Sequence, residues 1–224
     1  MVERIVVGPM NSNAYIYSEW KKECILIDPG GSVDVIIRHM TMKNLKPRGI
    51  LCTHGHLDHI GAVGAIQEHY REQDLKVPVA VHRKDKEYFG PKAIKIHRTS
   101  IEGQDLDADG YLDQVSWPLP AADVLLTEGK YVFESGLVTI HTPGHTPGSC
   151  CFYNEQQETL FSGDTLFFEN AGFTNAPGSD EKALLSSIRK KLEILPPATR
   201  VYPGHGPFTT IERELKHNPY MQQS

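Results

Sequence analysis

The 224 residues include 23 Lys and Arg against 28 Asp and Glu, giving a formal net charge of −5 with 39% hydrophobic residues. That apolar content suits one well-buried domain, expected over residues 1–224, and the acidic balance excludes a general nucleic-acid binder, which needs a basic surface against phosphate. No run approaches the ~20 apolar residues that cross a bilayer, and Met1-Val2-Glu3-Arg4-Ile5 is not a basic start leading into an apolar segment, so no membrane span and a cytoplasmic location are expected.

Ile5-Val6-Val7, Ala14 to Tyr17 and Cys24 to Ile27 read as consecutive antiparallel strands. Asp28-Pro29-Gly30-Gly31 is a turn, after which Ser32 can cap a helix to about Met42, with Val33, Ile36, Ile37 and Met40 facing inward. Pro47 ends that segment, and Gly49 to Cys52 forms the next strand. A helix from Ile60 to about Arg71, a strand Val77 to Val81 and a short helix Arg83 to Phe89 follow. The cations Arg83, Lys84, Lys86, Lys92, Lys95 and Arg98 could line a pocket for an anionic substrate; a solvated helix face accounts for them as well.

From Gly90 to about Pro120 the alternation breaks, which leads us to expect an insertion at about 90–120. Asp105-Leu106-Asp107-Ala108-Asp109-Gly110 resembles the first half of a calcium loop, but the twelfth position is Ser116 where a bidentate Glu is needed, so the stretch reads as an acidic turn. Tyr111, Trp117 and Pro118 could lean over a neighbouring pocket as a lid. Strands resume at Tyr131 to Phe133, Leu137 to Ile140, Ser149 to Tyr153 and Thr159 to Phe161 as a second antiparallel set. A helix capped by Ser179 or Asp180 reaches about Leu192, a strand covers Arg200 to Tyr202, and a last helix runs from Thr210 to Lys216. Cys24, Cys52, Cys150 and Cys151 lie mostly in apolar segments without CxxC spacing and read as reduced, buried thiols.

The chemistry concentrates in Thr53-His54-Gly55-His56-Leu57-Asp58-His59, three imidazoles and a carboxylate at a strand end. His54 and His56 can aim at one ion while Asp58 and His59 diverge toward a second. His145 in Thr142-Pro143-Gly144-His145-Thr146-Pro147-Gly148-Ser149, Asp164 in Ser162-Gly163-Asp164-Thr165 and His205 in Pro203-Gly204-His205-Gly206 sit at further strand ends. Together these seven residues suit two zinc-class ions; iron and manganese take the same ligands.

These motifs, with Asp28 to Gly31 and Gly163 to Phe167, resemble those of the metallo-β-lactamase superfamily, and within it the short, single-domain glyoxalase II-like branch. The resemblance implies an α/β fold, a four-layer αβ/βα sandwich of two mixed sheets with helices on the outer faces. It further implies His54, His56 and His145 on one metal, Asp58, His59 and His205 on the other, and Asp164 bridging. Two such ions lower the pKa of a shared water toward about 7, making a bridging hydroxide the nucleophile, and Asp58 orients it or accepts its proton. The expected activity is that of a metal-dependent thioesterase acting on hydroxyacylglutathione or a related small-molecule acyl-thiol. A mononuclear iron persulfide dioxygenase is the alternative, using His54, His145 and Asp164; other ester, lactone or β-lactam hydrolysis ranks below it. Ala171-Gly172-Phe173 departs from the Gly-Lys or Gly-Arg that glutathione-using members carry, so Phe173 is expected to make an apolar substrate contact. Asp28 and Thr53 are candidates to support the ligands or plain turn and strand-end residues, and nothing in the sequence fixes the oligomeric state.

Overall fold

The computed structural model describes residues 1–19, 21–103, 107–115 and 117–222. Six strands form the first sheet in sequence order: β1 (Val2–Val7), β2 (Ser12–Tyr17), β3 (Glu23–Ile27), β4 (Lys46–Leu51), β5 (Val79–His82) and β6 (Val124–Leu126). β1 to β3 pair antiparallel as expected, and β3 to β6 pair parallel. Parallel neighbours need crossovers, which α1 (Val33–Met42), α2 (Leu57–Ile60), α3 (Val63–Arg71), α4 (Ala93–Glu102) and α5 (Ala108–Leu112) supply. The second half opens with β7 (Val138–His141), β8 (Cys150–Asn154) and β9 (Thr159–Gly163), then a small hairpin of β10 (Leu166–Phe167) and β11 (Asn170–Ala171). α6 (Glu181–Ser187) runs into a π turn at Ile188–Leu192, followed by β12 (Arg200–Pro203), β13 (Thr209–Thr210) and α7 (Ile211–His217). The second sheet is ordered β13-β12-β9-β8-β7, with β12 parallel to β9 and the other pairs antiparallel.

Period-two alternation on strands buried on both faces produces the layers. Ala14, Ile16, Cys24, Leu26, Ile50 and Cys52 face outward to Ile36, Met40, Val63 and Ile66 of the first sheet's helices. Their neighbours Tyr15, Tyr17, Ile25, Ile27 and Leu51 face inward and meet Cys150, Phe152 and Phe161 of the second sheet. Cys151, Tyr153, Leu160 and Val201 turn to Leu184, Ile188 and Leu192 on the far side. Three apolar seams thus separate four layers, the αβ/βα sandwich. All four cysteines are buried and free, as expected. Among the described residues no helix is long and apolar enough to cross a membrane.

Several local readings need correction. Pro47 lies inside β4 and does not precede it: a bulge between Cys24 and Ile25 shifts the register there, where a missing N–H is tolerated. Tyr131 to Phe133 is not a strand; Tyr131 makes one isolated bridge to Val138, and Phe133 and Glu134 turn back with φ of 51° and 53°. Ser32 holds the N-cap position of α1 in a left-handed conformation, and its hydroxyl accepts from the Gly8 N–H instead of capping. The helix expected from Ile60 to about Arg71 starts later, at Val63, because a separate short helix, Leu57–Ile60, ends at Ile60 within the histidine motif and Gly61 and Ala62 form a turn between them. Among its described residues the 90–120 segment carries two helices; the Asp105, Leu106 and Ser116 positions of the calcium-loop comparison lie outside the described residues, and Asp107 caps α5 by accepting from the Gly110 N–H at 3.2 Å. The tail folds back: Tyr220 and Met221 pack on the second sheet's outer cluster.

His82 at the end of β5 and His141 at the end of β7 stack across the inter-sheet seam, ring centroids 3.9 Å apart and planes 10° off parallel. Burial, then the His141 imidazole, lowers the His82 pKa from 6.5 to about 4. The depressed folded value means that the neutral ring's contribution is present above pH 6.5 and is lost as pH falls from 6.5 through 4. Urea midpoints at pH 7 and pH 5 are therefore expected to diverge by on the order of 1 kcal/mol more in the wild type than in His82→Gln. Equal pH sensitivity in both proteins would remove this assignment.

Candidate metal centre

All seven sequence-predicted residues converge where the strand ends of the two sheets meet. β4 delivers His54 and His56, and α2 carries Asp58 and His59. The loop between β7 and β8 presents His145, the end of β9 presents Asp164, and the end of β12 presents His205. Three groups form, each with ligand atoms within 4.8 Å of one another: His54, His56 and His145; His54, His59 and Asp164; Asp58, His59 and His205. Asp164 faces both outer groups. Its Oδ2 lies 3.5 Å from His145 Nε2 and 3.6 Å from His205 Nε2, and its Oδ1 lies 3.4 Å from His59 Nε2.

The hydrogen bonds behind the ligands show which ring nitrogens face inward. His145 donates Nδ1–H to the Phe173 carbonyl at 2.7 Å, leaving Nε2 bare 2.9 Å from His56 Nδ1. Asp28 Oδ2 lies 3.0 Å from His59 Nδ1, so the ring donates there and its Nε2 turns to Asp58 and Asp164. Thr53 anchors Asp28 through its N–H at 2.7 Å and its hydroxyl at 2.6 Å, and the same hydroxyl lies 3.1 Å from His54 Nδ1. Asp28 and Thr53 are therefore contacts of the ligand rings, not plain turn and strand-end residues.

The fit to cations rests on atoms otherwise stranded. His54 Nε2, His59 Nε2 and Asp164 Oδ1 are buried without a hydrogen-bond partner, an arrangement costing about 1–3 kcal/mol per group unless something satisfies it. Burial, with the neighbouring imidazoles, holds His54 and His56 well below the usual histidine range, in the neutral form that ligates. Burial opposes charge on His59 as well, but Asp58 and Asp164 outweigh it and hold that imidazole high. Asp58 is kept well below the usual carboxylate range by His59 and His205 despite burial. The donor set, imidazoles grouped around carboxylates, is one that divalent ions of the zinc, iron and manganese type complete.

A cavity of about 290 Å³ opens over these residues, its remaining wall made by Met10, Phe167, Phe173, Asn175 and Ala176. Phe173 is 70% exposed at this mouth. The cations from Arg83 to Arg98 line no part of it, so the solvated-face reading holds; Arg98 pairs with Asp109 and Glu102. Trp117 and Pro118 do not form a lid: they border a separate groove beside α3.

Sequence reasoning missed Asp85. Buried among apparent surface cations, it accepts from the Gly55 N–H at 2.9 Å, the Thr146 hydroxyl at 2.6 Å and the Gly148 N–H at 2.6 Å. It thereby ties the His54–His56 loop to the His145 loop. Asn13 was missed too: its side-chain amide donates to the carbonyls of Pro203 and Gly206, both at 2.9 Å, and steadies the His205 turn. Asp85→Asn leaves one amide hydrogen facing a donor, so metal affinity is expected to fall about 10–100-fold, read by competition with a chromophoric chelator. Affinity within twofold of wild type would show that the tie is dispensable.

The metallo-β-lactamase superfamily model matches residues 7–205, a span holding all seven residues. The chain belongs to the metallo-β-lactamase superfamily. This superfamily chain is 31% identical over 220 residues to the hydroxyacylglutathione hydrolase GloC of Haemophilus influenzae, covering 98% of this chain and 97% of that one. The crystal structure of the BLEG-1 B3 metallo-β-lactamase superposes with a TM-score of 0.83 at 36% identity, covering 100% of both chains. TTHA1623, crystallised in a di-iron-bound form, gives a TM-score of 0.80 at 35% identity, covering 97% of this chain and 99% of that one. The superfamily binds divalent metals, and the His/Asp cluster described above is present here.

Proposed function

We propose that this superfamily member is a dinuclear metal hydrolase that cleaves a small thioester, hydroxyacylglutathione or a related acyl-thiol. The observation that carries the reading is Asp164, set between two complete ligand groups with a buried, unpartnered Oδ1. His54, His56 and His145 would hold one ion, Asp58, His59 and His205 the other, and Asp164 both. Bound there, the pair supplies water acidic enough to ionise near neutral pH and an electrophile for the scissile carbonyl. The chain's own residues do the positioning. Asp58 Oδ2, 3.1 Å from His205 Nε2 and 3.2 Å from His59 Nε2, stays ionised and can orient a water or take its proton. Phe173 and Phe167 form an apolar rim where the acyl-thiol enters. The GloC relative supports the thioester class.

A mononuclear iron dioxygenase acting on a persulfide would need only His54, His145 and Asp164; the intact group of Asp58, His59 and His205 favours the hydrolase. Zinc is the proposed metal, with iron and manganese suiting the same donors. Metal content per chain, measured with hydrolysis of lactoylglutathione in the same preparation, decides. Two ions with turnover are expected; one iron, no thioester turnover and oxygen uptake with glutathione persulfide would replace this function with the dioxygenase.

A further inference from the structure

Beside the site cavity lies a second, smaller space of about 10 Å³, bounded in part by Met10, His56, Asp58, His97, Ser100 and Tyr111. Such a volume takes one oxygen-sized group. Met10, His56 and Asp58 also line the site cavity, so these residues border both spaces. Met10 is partly buried; its unbranched thioether can swing aside where a branched side chain could not. The far wall comes from α4 and α5, the helices of the 90–120 segment.

The wall is unusual in its polarity. The Tyr111 hydroxyl is buried and has no hydrogen-bond partner, although its ring is packed in the first sheet's outer cluster. Burial, with the charge of Asp58, raises its phenol above the ordinary range, so at neutral pH it remains a donor. His97 gives Nε2–H to the Tyr88 carbonyl at 2.8 Å. Burial lowers its pKa to about 4, so the ring is neutral and Nδ1 is an acceptor. A donor and an acceptor beside one small space are what a hydroxyl group requires.

We propose that Tyr111 is a specificity-determining residue: the hydroxyl on the carbon next to the scissile carbonyl of a 2-hydroxyacyl thioester enters this chamber past Met10 and accepts a hydrogen bond from Tyr111. The assignment rests on the thioester hydrolase reading. It follows from position, because the chamber and the site cavity share Met10, His56 and Asp58, one residue of each set that would hold an ion among them, so a substrate seated in the site cavity abuts the wall behind which Tyr111 lies. A simple acyl chain of the same length leaves the Tyr111 donor unmatched.

The test pairs kinetics with binding on the zinc-loaded protein. Lactoyl and propionyl thioesters of one thiol are compared in wild type and Tyr111→Phe, and lactate and propionate are titrated calorimetrically into wild type alone. The wild type is expected to favour lactoyl by about tenfold in kcat/KM and lactate by about tenfold in affinity, the scale of one hydrogen bond. In Tyr111→Phe the lactoyl preference should fall to within about twofold. Equal binding of lactate and propionate, or a preference that survives the substitution, overturns the assignment and leaves the chamber to a water. If no thioester is hydrolysed while lactate still outbinds propionate, the thioesterase reading fails and the hydroxyl site stands. The wild-type titration needs no variant, so misfolding of Tyr111→Phe cannot mask the result.

Discussion

Asp164→Ala is expected to purify with no more than one ion per chain and to lose at least about 10³-fold in thioester turnover. Among the described residues Asp164 is the carboxylate whose oxygens approach histidines of both ligand groups, at 3.4 to 3.6 Å from His59, His145 and His205. Removing it leaves each group with imidazoles alone or with Asp58. Two cations held there would lack the negative charge that Asp164 supplies between them, and repulsion between like charges a few ångströms apart is severe in a buried site. Elemental analysis beside initial rates checks this directly. A variant that keeps two ions and wild-type turnover would deny Asp164 the bridging place.

The largest expected loss of stability comes from a methyl group. In Gly30→Ala the added Cβ would lie 1.4 Å from the Asp58 carbonyl oxygen and 3.0 Å from the His59 nitrogen, both backbone atoms that cannot swing away. The expected cost exceeds about 3 kcal/mol, or soluble protein is not obtained. Gly90 is the control: its φ is +83° and a Cβ there meets nothing within 4 Å, so Gly90→Ala carries only the backbone strain, about 1 kcal/mol. Urea unfolding of the pair separates steric clash from conformational preference. Similar midpoints would mean that the loop at Gly30 relaxes freely.

The contrast between those glycines also shows what could be read in advance. Asp28-Pro29-Gly30-Gly31 was legible as a turn, but its glycine answers to the histidine motif pressing on it from 28 residues away, as the Cβ contact with Asp58 shows. The layers were legible because strands such as Ala14 to Tyr17 alternate between two buried faces, and the ligands were legible because their loops each carry a recognisable Gly, Pro or His pattern. α4 was not: its buried face is Ala93, His97, Ser100 and Ile101, half polar, so it carries no apolar stripe to read. β6 is three residues long, too short to alternate visibly. Asp85 was hidden for a different reason. Its partners lie 30 to 63 residues away, and nothing in Arg83-Lys84-Asp85-Lys86 distinguishes a buried carboxylate from a solvated one.

That carboxylate bears on when the socket takes shape. Its three hydrogen bonds join a loop of the first sheet to a loop of the second, so the gap between His56 and His145 is set by protein atoms as the sheets dock. An arriving cation then meets a spacing already chosen, and little of its binding free energy goes into gathering the loops. The chain behaves as a template of fixed gauge: ions that match it compete on ligand preference and local abundance, and the loops do not remould themselves around each newcomer.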